Sequence, residues 1–303
     1  QGVVVQRVFP VLLGLALMGG PWLAGCSGGS SPSAGPTAVA LSPRDVPTVV
    51  LLDGGVAPRA PLRLVPPAPG VVRALRLASE FTVDLTQDGA PRPARSLSAA
   101  RTGAVQRLAS ADAEPWHYAV VMTDLEGPGT SAPLDGRRAE WHVDSRGRVL
   151  AAGVHGEGLD EHQHDALVEL ADGFVTALPV LPEAPVGIGA RWSLTETITH
   201  PEGIETRVTQ WVLADRQEGY AVLTGESTAD LVVADGASSG PGLRSRTLQA
   251  ETWLELREGE VLPRTLAGRG RSTRVMAVVR PDGGLGTVQT VTSWQTQLTD
   301  VVR

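Results

Sequence analysis

A chain of 303 residues, 42% hydrophobic and 19% charged, has material for a large buried core and is not the composition of a disordered polymer. Its net charge of −7, with no basic stripe, excludes a nucleic-acid-binding surface, and its single cysteine excludes an intrachain disulfide or a thiolate zinc site. All 26 basic residues are Arg, with no Lys and no Asn anywhere, a bias that fits a GC-rich genome rather than a mechanism.

The N-terminal stretch "VFPVLLGLALMGGPWLA" (8–24) follows the lone charge of Arg7 and is almost wholly apolar. Its core is short for a membrane-spanning helix, and Gly19, Gly20 and Pro21 interrupt it, so it reads as a secretory leader. Small residues lead into the only thiol, and Leu23-Ala24-Gly25-Cys26 resembles a bacterial lipoprotein lipobox. The resemblance implies cleavage before Cys26, acylation there, and anchoring to a membrane by several acyl chains, which hold where one chain does not. Ser27, where Asp would signal retention at the inner membrane, points to the outer membrane, facing the periplasm or the cell surface. Residues 1–25 are thus the expected signal peptide, and 26–47 the acylated Cys with a Gly/Ser/Pro tether.

From Thr48 to Arg303 the expected body is mainly β. Period-two alternation marks strands at 71–85, 117–127, 139–144, 148–154, 191–199, 205–214, 220–228, 247–257, 264–272, 274–280 and 287–298. Asp-Ser-Arg-Gly, His-Pro-Glu-Gly and Pro-Asp-Gly-Gly separate them as tight turns, giving an antiparallel meander with one wet and one buried face. One segment departs from this rhythm. Within "LDEHQHDALVELADGFVTAL" (159–178), Leu167, Leu170, Ala171, Phe174 and Leu178 recur at helical spacing, so one amphipathic helix is expected at about 160–178, ended by Pro179.

"WHVDSRGRVL" (141–150) and "WLELREGEVL" (253–262) share a Trp, a Gly and Val-Leu at equal spacing on either side of that helix, which suggests two meander halves. A lipobox and tether leading into long curved strands with a helix on the concave side resembles the LolA/LolB and LppX/LprG lipoprotein carriers. "LPVLPEAPVGIGARWSL" (178–194) is also similar to the P-x-x-P-V-x-x-G-x-x-W punctuation of bacterial lipoproteins of this shape. The resemblance implies a large curved antiparallel sheet, or half-open β-barrel, that holds acyl chains between sheet and helix.

The candidate lining of such a cavity is Leu167, Leu170, Phe174, Trp141, Trp192 and Trp253; the alternative for the tryptophans is plain packing. His155, His162 and His164 lie in the densest ionisable cluster, 155–165, but His162 and His164 diverge by about 200° if both are helical, against the i,i+4 spacing of a shared metal. No nucleophile elbow, phosphate loop or dinucleotide fingerprint is present, so no catalytic residue and no cofactor are assigned. The expected function is non-catalytic binding of a hydrophobic molecule such as a lipid. Two alternatives stand beside it: a structural or protein-interaction lipoprotein with a filled cavity, and a periplasmic hydrolase or metalloprotein built on 155–165.

Overall fold

Side chains that alternate between water and oil make strands, and here every strand joins one sheet. The computed structural model describes residues 42–43, 45–109, 115–126, 138–155, 178–200, 203–233, 241–257, 260 and 262–301. In chain order the strands are β1 (Ser42–Pro43), β2 (Thr48–Asp53), β3 (Val72–Gln87), β4 (Ala90–Arg107), β5 (Trp116–Glu126), β6 (Arg138–Val143) and β7 (Val149–His155). There follow β8 (Arg191–His200), β9 (Gly203–Gln217), β10 (Tyr220–Val233), β11 (Gly242–Arg257), β12 (Thr265–Val279) and β13 (Leu285–Asp300). Across the sheet the order is β1-β7-β6-β5-β4-β3-β13-β12-β11-β10-β9-β8-β2. Two meanders, β3–β7 and β8–β13, are therefore joined edge to edge by the long β3–β13 pair.

Connectivity shows that this sheet is rolled. Laid flat, thirteen strands at about 4.8 Å spacing are roughly 58 Å wide. Yet β1 and β2, the two edges, are consecutive in the chain, and the step from Pro43 to Thr48 spans at most about 18 Å. The edges curl toward one another without pairing, so the barrel stays open. One apolar cluster consequently draws on both meanders, from Leu75 and Trp141 to Trp192, Leu254 and Leu298.

The lower end of the roll is closed by irregular chain. Val56 N donates to Ile188 O, Ala60 and Val186 exchange bonds, Gly187 N donates to Gly54 O, and Leu181 N reaches Arg146 O. Gly187 has no room for a side chain, since a Cβ there would lie 1.8 Å from Val56 O. Trp192 is fully buried and donates its indole N–H to Val180 O at 2.9 Å. The Pro182–Trp192 punctuation is thus the stitching of an end plug.

Three expectations need revision or closer placement. β4 is missing from the strands read by alternation: "APRPARSLSAARTGAVQR" has few β-branched residues and two prolines, and its pairing with β3 and β5 overrides that weak local preference. The segments 264–272 and 274–280 are one strand, β12. Ser42–Pro43, inside the expected tether, pairs with Ala151 and Ala152 at the sheet edge. The expected helix, with Leu167, Leu170 and Phe174, lies outside the described residues, as do Cys26 and the lipobox; Leu178 is described, and is buried in the lower core. No helix occurs among the described residues.

Candidate functional site

Register aligns the inner face of β3 and β8–β13 into rows that change character from the lower end upward. Low on this face run six leucines across six strands: Leu77, Leu298, Leu266, Leu254, Leu223 and Leu213. All are buried, which removes a continuous oily band from water. Above it comes a row of small residues, Ser79, Thr296, Gly268, Thr252 and Gly225, ending at Trp211 and Trp192. Ser79 and Thr296 share a buried hydrogen bond of 3.0 Å, and the Trp211 ring lies over Gly225, where a Cβ would come within 2.7 Å of it. The Trp211 indole N–H has no acceptor among the described residues.

The third row restores bulk. Phe81 and Trp294 pair across β3 and β13, Trp294 covers Gly270, and Ala250 and Leu248 complete a second apolar cluster. Higher still the face becomes charged. Glu205, wholly buried, accepts from Arg207 at 2.7 Å and faces Arg246 at 2.9 Å. Arg274 is the cross-strand partner of Arg246. Burial pushes the Arg246 guanidinium down to about 10, Glu205 opposing the shift, and burial lowers Arg274 in the same direction. Ser272, 3% exposed, completes this rim, its hydroxyl without a hydrogen-bond partner among the described residues. Along the strands the inner face thus passes from pure hydrocarbon, through a belt of small groups, to buried arginines.

No family model matches this chain, and no curated protein matches it.

The sequence-derived lining residues separate. Trp141 and Trp192 are fully buried on the core side, whereas Trp253 is 38% exposed, on the opposite face from its neighbour Thr252. Trp253 therefore does not share an inner cavity with Trp141 and Trp192, and the two tryptophans of the echoed hairpins are not equivalent. Trp253 instead borders an outer-face depression of about 770 Å³, with Glu80, Glu251, Arg269 and Gln297. His155 closes β7, but its side chain, like all of His162 and His164, lies outside what is described. Among the described residues no group of three or more His, Cys, Asp or Glu is placed to hold a metal.

Alternation scanning missed two charged sets. On β5 and β6, His117 Nε2 lies 2.7 Å from Glu140 Oε2, Arg138 Nε lies 2.6 Å from Oε1, and His142 stands edge-on to His117 at 4.7 Å. The rim set was legible in principle: in "GIETRVTQW", Glu205 and Arg207 fall in phase with Trp211, which puts charge on the oily side. A charge in the buried phase is the signal to look for.

Proposed function

We propose that this protein is a non-catalytic lipoprotein of the cell envelope, anchored through acyl chains on Cys26, that binds an amphiphile along the inner face of its open barrel. The single observation that carries the binding half is the gradient of that face, from the leucine row at Leu77–Leu213 to the buried arginines beside Glu205. Burial of charge is costly and is retained where it meets a complementary group. Anchoring is supported by the apolar leader that ends in Leu-Ala-Gly-Cys, and it places the body at a membrane, where amphiphiles are found. No cofactor is needed for such a role.

Two measurements test it. Native mass spectrometry of the full chain carrying Cys26→Ser is expected to show a co-purifying amphiphile as an added mass of several hundred daltons; a bare mass under gentle desolvation counts against binding. In cell fractionation the same variant is expected to leave the membrane fraction, and its retention there counts against the anchor.

The fully buried Trp141 and Trp192, with exposed Trp253 at the outer depression, favour a second reading, an interaction lipoprotein with a filled interior. A bare mass together with release from the membrane is the outcome it expects.

A further inference from the structure

Behind the small-residue row, the outer face of the same strands dips into the depression that Trp253 borders. Its volume is about 770 Å³, the size of a small-molecule site, and Gly225, Thr252, Gly268 and Thr296 form its floor. Register arranges its walls in two rows on that face. One runs Ala78, Gln297, Ala267, Trp253, Thr224 and Val212 from β3 to β9, and the next Glu80, Gln295, Arg269, Glu251, Glu226 and Gln210. Six strands at about 4.8 Å spacing make each row roughly 24 Å long, measured along the sheet. This trough is elongated and lies on the face opposite the leucine row, so it does not rest on the amphiphile reading.

The side chains narrow the class of ligand. Trp253 is exposed and has small cross-strand neighbours, Thr224 and Ala267, so its ring is offered as a platform. Hydrocarbon is disfavoured, because Gln297 and Thr224 interrupt the apolar groups on either side of that ring. An extended peptide has no strand edge to join, since β3 and β9–β13 are each paired on both sides. Charge does not select strongly either. The lining sets Glu80, Glu226 and Glu251 against Arg191 and Arg269, and Arg269 already donates Nε and Nη2 to Glu251 Oε2 at 2.8 and 2.6 Å. What the walls offer is a mixture of donors and acceptors: the amides of Gln210, Gln295 and Gln297, the carboxylates, and a guanidinium held in place by its ion pair. A pyranose ring meets both demands, with hydroxyls that donate and accept at its edge and C–H groups that pack on an indole face.

We infer that this outer trough binds an uncharged oligosaccharide, which crosses the strands with one sugar ring stacked on Trp253 and its hydroxyls bonded to Gln295, Arg269, Glu251 and Glu226. The length of the trough favours a chain of several sugars over a single one.

Titration calorimetry of the full chain carrying Cys26→Ser, with cellohexaose, chitohexaose, glucose and hexalysine as probes, tests this. At least one hexasaccharide is expected to bind at least about tenfold more tightly than glucose, and to shift tryptophan emission through the exposed Trp253. Trp253→Ala should weaken that binding at least about tenfold, the cost typical of an anchoring Trp, and Trp253→Phe should restore part of the loss. Glu226→Gln, which keeps an acceptor and removes the charge, should leave the affinity within about threefold. Melting curves establish that each variant folds; if Trp253→Ala does not, Trp253→Phe and Gln295→Ala carry the test, each with an expected loss of about threefold. Binding of neither hexasaccharide, or binding unaltered in the folded Trp253 and Gln295 variants, overturns the proposal. Binding of hexalysine that Glu226→Gln abolishes, with no binding of either sugar chain, overturns the oligosaccharide and assigns the trough to a cationic peptide. Each of these outcomes leaves the amphiphile reading, which concerns the inner face, to its own test.

Discussion

His142 is held below its ordinary titration range, first by burial and then by the neighbouring His117, with Glu140 acting in the opposite direction. A histidine whose folded pKa is depressed takes up its proton more readily in the unfolded chain. Stability is therefore greatest above about pH 6.5, the ordinary imidazole value, and declines as the pH falls below it. His142→Gln is expected to flatten the dependence of the urea midpoint on pH between 7 and 5.5, and an unaltered slope would assign that dependence elsewhere. The same economy of placement governs Glu205, where one buried carboxylate sits between two guanidinium groups. Neither residue stands out by type. What distinguishes Glu205 is its phase in the strand, which is readable; what distinguishes His142 is the cross-strand partner His117, which is not.

Among elements, the β6–β7 hairpin shows how a local turn becomes a tertiary joint. Asp144 accepts from Arg146 N at 2.9 Å and Arg148 N at 3.0 Å, and Gly147 N donates to Asp144 O. The Asp-Ser-Arg-Gly signal accordingly marks a real turn. Gly147 has φ +82°, and a Cβ there would lie 2.2 Å from Pro179 O in the end plug. Gly147→Ala meets both a left-handed backbone, disfavoured by about 1–2 kcal/mol, and a backbone clash. A loss of more than about 2 kcal/mol in urea unfolding, with an unchanged slope, is expected. A loss under about 0.5 kcal/mol, the range of ordinary surface changes, would show that the hairpin and plug do not meet so closely in solution. β4 teaches the converse. Ala, Ser, Arg and Pro carry little strand preference, and only a long neighbour on each side makes eighteen such residues a strand.

At the scale of the molecule, the two meanders share one core and one long seam. Leu77 and Phe81 of β3 face Leu298 and Trp294 of β13, so neither half can lose its seam without exposing apolar surface of the other. A single cooperative transition is expected, with far-UV circular dichroism and tryptophan fluorescence coincident in urea. Two separated transitions would mean that the meanders fold as independent domains. Nine of the twelve strand pairs join consecutive strands, so the long-range closures are confined to the β3–β13 seam and the β1–β7 and β2–β8 edges, and closing that seam is the expected slow step of folding.

Sequence alone determined the strands with strong alternation, the tight turns between them and the side of each strand that is oily, because these follow from the two-residue period of the backbone itself. Only tertiary structure decided that β3 and β13 meet, that β1 and β2 become curled edges, and that Glu205 and Arg246 share one buried rim beside Arg274. Pairing between strands hundreds of residues apart is chosen by the free energy of burying whole faces together. No local window of residues contains that quantity.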